Sequence, residues 1–175
     1  MQIKILSDRT DHLVAWFAAL AIMIHLIESA IPSVLPGLKP GLANIITIAV
    51  LVLFGWSMAA WVSLLRVLVG SLLLGTFLSP TFLMSFSGTL ATILVLWLAS
   101  KAPGKGFSAI GFSLLAAMAH MTGQFTCAWL LFIPHSGLWH LYPVLMTFAI
   151  ILGIINGIIC RKIVDKIDPQ ACKIS

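Results

Sequence analysis

The chain has 175 residues, of which 61% are hydrophobic and 9% charged. Soluble domains carry about 25% charged residues, so this composition excludes a water-soluble enzyme and points to an integral membrane protein. The net charge of +5 is not a nucleic-acid signal, because the basic residues sit at the chain ends and in one loop, where they set membrane orientation.

A helix that crosses the hydrocarbon needs about 20 apolar residues. Six segments meet or approach that length, and they predict an all-α bundle with residues 1–175 as a single membrane domain. The first covers about 12–31 and is ended by Pro32. It is longer than a typical signal-peptide core, so it reads as a retained helix. The second, about 41–56, is short for a span, and the third, about 57–77, follows it with only Gly55-Trp56-Ser57 as punctuation. Together they are too long for one helix of ordinary tilt, so a tight turn at an interfacial Trp is expected there. The fourth covers about 81–100, after Ser79-Pro80, and the fifth about 107–132, after Lys101-Ala102-Pro103-Gly104-Lys105-Gly106. The sixth, about 140–161, ends at Arg161-Lys162.

Six spans place both termini on one side. That side holds Lys4, Arg9, Lys101, Lys105, Arg161, Lys162, Lys166 and Lys173, and the other holds only Lys39. The positive-inside rule therefore expects a multi-pass protein of the inner, cytoplasmic membrane with cytoplasmic termini. Asp165 and Asp168, in the polar tail, balance neighbouring lysines.

Polar residues inside apolar segments are expensive and mark sites by default. Glu28 lies near the outer end of the first helix, with His25 nearly one turn deeper; Lys39 follows in the outer loop and Asn44 near the outer end of the second helix. Arg66 falls near the midplane of the third helix, and Ser85 and Ser87 start the fourth. His120 and Gln124 are four apart on the fifth, so both face one way. The cluster predicts a polar pocket in the outer half, with Glu28, Lys39, Asn44, Arg66, Ser85, Ser87, His120 and Gln124 as ligand-binding candidates. Each has a plainer reading. Glu28 can pair with Lys39 or Arg66 and fix the loop, and His120 and Gln124 can be interhelical glue. Asn156, between Gly153 and Gly157, reads as packing.

No metal site is expected. Cys127, Cys160 and Cys172 lack metal or redox spacing, and His135 and His140 read as interfacial anchors beside Trp139 and Tyr142. Small residues four apart occur at Ala15 and Ala19, Ala119 and Gly123, and Gly153 and Gly157. Such pairs allow close helix packing in lipid. They serve the bundle itself or, for Ala15 and Ala19, a docking face for another membrane protein.

The stretch Leu26-Ile27-Glu28-Ser29-Ala30-Ile31-Pro32, followed by Pro36-Gly37-Leu38-Lys39-Pro40-Gly41-Leu42-Ala43-Asn44-Ile45, resembles a family of small membrane proteins. That family is named heptaprenyl diphosphate synthase component I, and also Gx transporter. Arg66 with Gly70 and Gly75, Ser85-Phe86-Ser87-Gly88, and Ala119-His120-Met121-Thr122-Gly123-Gln124 extend the resemblance over nearly the whole membrane region. The family is similar to the substrate-binding S-components of energy-coupling-factor transporters. The resemblance implies a six-helix bundle with a cap loop at residues 32–41 and a docking face at Ala15 and Ala19. It also implies a transmembrane coupling protein with two ATPases as partner. Nickel and cobalt S-components begin Met-His; this chain begins Met1-Gln2-Ile3, which counts against metal capture.

Two functions follow as expectations. The first is a substrate-binding transporter subunit for a small, partly anionic organic molecule, with no cofactor and no ATP motif of its own. The second is a non-catalytic membrane component of polyprenyl diphosphate synthesis, or a handler of an isoprenoid or quinone. Autonomous prenyl transfer is disfavoured, because it needs paired aspartate clusters for Mg²⁺, and of the five acidic residues only Asp165 and Asp168 are close together. A flavin- or quinone-linked accessory role ranks behind both, since tryptophans are expected at membrane interfaces anyway. The topology is testable with alkaline phosphatase fusions: a fusion after Lys39 is expected to be active, and fusions after Lys101 and Ser175 inactive.

Overall fold

A computed structural model describes residues 9–30, 41–101 and 107–167. These form six α-helices: α1 (Arg9–Ala30), α2 (Ala43–Phe54), α3 (Trp56–Leu73), α4 (Pro80–Ser100), α5 (Ala109–Leu131) and α6 (Tyr142–Ile167). A 3-10 turn, Ser136–His140, precedes α6, and there is no strand among the described residues.

Local chemistry sets the boundaries. The Ser79 hydroxyl accepts from the Phe82 backbone N–H at 3.2 Å, with Pro80 in the first turn of α4. Ser108 caps α5 in the same way, accepting from Gly111 N–H. Gly55 separates α2 from α3 with φ +90°, a value that L side chains rarely adopt. The tight turn expected at Gly55-Trp56-Ser57 therefore exists.

Five helical stretches are long and apolar enough to cross a membrane: His12–Ser29, Trp56–Leu73, Pro80–Ser100, Ala109–Leu131 and Ser136–Ile167. The protein is a membrane protein of helical type. The expected second span, about 41–56, is a helix of 12 residues, which reaches only about 18 Å. Its surroundings explain its shortness. α2 packs against α1, α3, α5 and α6, and Ala43, Ile45 and Thr47 through Leu51 are buried along it. A helix covered by its neighbours does not have to match the hydrocarbon thickness. The rest of the packing runs from α1 to α3, α4, α5 and α6 in turn.

Glycines bring the last three helices close. A Cβ on Gly123 would stand 2.8 Å from the Ser87 carbonyl oxygen and 2.9 Å from Gly88 Cα. One on Gly157 would stand 2.7 Å from Ile110 Cα. Gly123, Gly153 and Gly157 thus serve packing inside the bundle. Ala15 and Ala19 are exposed on α1, beside the exposed Trp16, Leu20 and Met23.

Aromatic residues gather at both ends. At one end Trp56 packs against Trp97 and donates its indole N–H to Ile93 O at 3.0 Å, while the Lys101 ammonium lies 4.0 Å from the Trp97 ring centre. At the other, Trp139 packs against Phe125, Trp129 and Tyr142. Such girdles suit the two headgroup levels of a bilayer.

Overpacking a close-packed interface costs about 1–3 kcal/mol. Gly157→Leu is therefore expected to lower the thermal stability of the purified protein by that order, because the first obstacle it meets is backbone. A thermal melt in detergent checks this.

Candidate functional site

The polar residues of α1, α3, α4, α5 and α6 converge with the start of α2 on a cavity of about 420 Å³. α1 supplies His25 and Glu28, and the start of α2 supplies Gly41 and Asn44. α3 supplies Arg66 and Val67; α4 supplies Thr81, Met84 and Ser85. α5 supplies Ala117, His120, Met121 and Gln124, and α6 supplies Ala149, Leu152, Gly153 and Asn156. A smaller cavity of about 220 Å³ adjoins it and shares His25, Val67, Thr81 and Ser85. The combined volume lies in the range of small-molecule sites, roughly 300–1,000 Å³.

Among the described residues Glu28 and Arg66 are the charged groups of the cavity, and both are buried, at 3% and 7% exposure. Glu28 Oε1 accepts the backbone N–H of Leu42 at 2.5 Å, just ahead of α2. A carboxylate there satisfies an orphan donor and sits at the positive end of the helix dipole. Glu28 also attracts Arg66 electrostatically, yet no carboxylate among the described residues lies within the 4.0 Å ion-pair limit of Arg66. The guanidinium makes no hydrogen bond among the described residues either. A buried charge without a close partner is costly, so Arg66 has donors to offer whatever enters the cavity.

Two further groups share that condition. Ser29, Ser63, Ser71 and Ser113 give their hydroxyl hydrogens to backbone carbonyls, as helical serines commonly do. Ser85 makes no such bond among the described residues, and neither does the Asn44 carboxamide. On α5, Gln124 Nε2 lies 3.2 Å from His120 Nε2, and His120 Nδ1 lies 3.5 Å from Thr92 Oγ1.

Six of the expected ligand-binding residues meet at the cavity: Glu28, Asn44, Arg66, Ser85, His120 and Gln124. Ser87 does not line it. Its hydroxyl reaches the carbonyls of Met84 and Gly123, both at 3.0 Å, and so ties α4 to α5. Lys39 and nearly all of the expected cap loop, residues 32–40, lie outside the described residues. His25 and Asn156 line the cavity and were not among the expected site residues. Asn156 is also structural: its Nδ2 donates to Gly41 O at 3.3 Å, joining α6 to the start of α2. A polar residue in the apolar run of α6 is the signal that could have found it.

His135 Nδ1 accepts from the N–H of Gly137 in its own turn. Among the described residues there is no group of three His, Cys, Asp or Glu side chains placed to hold a metal ion. Cys127 and Cys160 are buried free thiols.

The fold and cavity define a class, a helical membrane protein with a chamber lined by polar side chains. The chain belongs to the family described as heptaprenyl diphosphate synthase component I, whose family model matches residues 17–163. No curated protein and no solved structure matches the chain.

Loss of a helix cap costs about 1 kcal/mol, and Glu28 carries a buried charge besides. Glu28→Ala is expected to destabilise the fold by about 1–3 kcal/mol, and Glu28→Gln by less, because the amide oxygen can still accept from Leu42 N–H. Thermal melts of the two variants side by side check the order.

Proposed function

We propose that this protein is a substrate-binding membrane subunit that captures a small, partly anionic organic molecule in the chamber between α1 and α6. One observation carries the reading: the Arg66 guanidinium is buried at the chamber wall with no close counter-charge among the described residues. A fixed fork of donors in a secluded place is suited to an anionic ligand. The Ser85 hydroxyl and the Asn44 carboxamide line the same chamber without a hydrogen-bond partner among the described residues, which supports the same reading.

In this proposal the chain has six membrane passes, with the short α2 counted among them, and both termini in the cytoplasm of a cell bounded by its inner membrane. The arrangement is S-component-like. The chain carries no nucleotide-binding motif, so a transmembrane coupling protein with ATPases would supply the energy. Ala15 and Ala19 would meet that partner, since they are exposed on α1 rather than used inside the bundle. Lys39, Arg66, His120 and Gln124 act at the ligand, Asn44 and Ser85 line its pocket, and Glu28 orders the start of α2 next to it. Ser87 is an interhelical tie instead.

The family description favours a second reading. It names a component of heptaprenyl diphosphate synthesis, which fits a non-catalytic membrane partner of a synthase, or a carrier of an isoprenoid. The apolar residues of the chamber, among them Val67, Met84, Met121 and Leu152, would suit an isoprenoid unit.

Native mass spectrometry of the protein extracted in lipid nanodiscs tests the two. A bound water-soluble organic anion, or co-purifying coupling subunits, supports capture for transport. A bound prenyl phosphate or a synthase subunit, without a coupling partner, supports the second reading. Under the first, Arg66→Ala and His120→Ala are expected to lower occupancy at least about tenfold with the bundle still folded. Ala15→Leu with Ala19→Leu is expected to abolish partner co-purification and leave occupancy unchanged.

A further inference from the structure

The hydrogen-bond network around His120 narrows the ligand. Thr92 has one hydroxyl hydrogen, and it is directed at backbone carbonyls: Gly88 O at 2.9 Å and Ala116 O at 3.3 Å. Towards His120 Nδ1 the Thr92 oxygen can then only accept, so the network assigns the ring proton to Nδ1. His120 Nε2 is left as an acceptor, and the Gln124 amide donates to it at 3.2 Å. His120 is thereby neutral. The Gln124 carbonyl oxygen is left with no partner among the described residues.

The consequence is a charge count. Among the described residues the cavity is lined by one guanidinium, Arg66, one carboxylate, Glu28, the neutral His120 and the imidazole of His25. A diphosphate bears several negative charges and is normally held by several cations, or by Mg²⁺ on paired carboxylates. Arg66 and the Lys39 of the capture reading, less the Glu28 carboxylate, leave a single net positive charge, too little for a diphosphate. A single carboxylate matches the planar arginine fork in both charge and shape.

Resting on the ligand-capture reading above, we infer that the chamber selects a small monocarboxylate that carries an N–H donor, with the carboxylate on Arg66 and the N–H on the Gln124 carbonyl oxygen. Met84 and Met121, both on the lining, supply polarizable contacts for the flat body of such a molecule.

The test is equilibrium dialysis of the full chain in lipid nanodiscs against four probes in equal amounts, read by mass spectrometry. The probes are indole-3-acetate, its methyl ester, its N-methyl analogue, and geranyl diphosphate. Indole-3-acetate is expected to be enriched at least about tenfold over the ester and about fivefold over the N-methyl analogue. Arg66→Gln should abolish the first ratio. Gln124→Leu should abolish the second and keep the first, which also shows that the variant is folded. Enrichment of geranyl diphosphate above indole-3-acetate, with loss in Arg66→Gln, overturns the inference and leaves ligand capture standing. Equal uptake of acid and ester, or enrichment of none of the four, overturns the inference alone. Ligand capture itself is judged separately, by the bound mass found in nanodiscs.

Discussion

A carboxylate buried among apolar helices governs this molecule. Glu28 accepts the first amide before α2 and at the same time attracts Arg66, which lines the same chamber. The first role ties α1 to α2. The second keeps a cation tolerable inside the bundle without consuming its donors. A tighter pair, with Glu28 clamped directly onto Arg66, would satisfy both charges and close the site chemically. The observed arrangement divides the carboxylate between backbone and guanidinium, and it is this division that leaves the Arg66 donors without a hydrogen bond among the described residues. The Asn156 bond to Gly41 O holds the same turn from the α6 side, so the start of α2 is fixed by two helices that also wall the chamber.

Much of the architecture was legible because its signals are local. Gly55 needs a backbone conformation that few residues adopt, and the break between α2 and α3 follows directly. Ser79-Pro80 opens α4 by capping chemistry. The small pairs of α5 and α6 mark the close crossings. The length of α2 was harder to read. An apolar run between two turns looks the same whether lipid or other helices surround it, and only tertiary packing reveals that α2 is covered on several sides.

The site was legible by helix phase. His120 and Gln124, four apart, do meet, and His25 belongs with Glu28 by the same rule, being three residues away. Ser85 and Ser87 are two apart, so they point to nearly opposite faces of α4; only one could line the chamber, and it is Ser85. Counting polar residues found the pair, whereas the helical period separates them. Asn156 shows the other failure. Its glycine neighbours do mark a packing surface, and a residue on such a surface can still face a cavity left between the packed helices.

The burial of α2 has a consequence for the lipid around the protein. Helices that face hydrocarbon tilt or shift when bilayer thickness changes, at a cost of a fraction of a kcal/mol per Å. α2 meets neighbouring helices along most of its length, and its first turn carries Asn44 and the Glu28 contact. The part of the chamber that α2 builds is thus mechanically insulated: a thicker or thinner membrane acts first on the surrounding helices, and reaches that part of the chamber only through them.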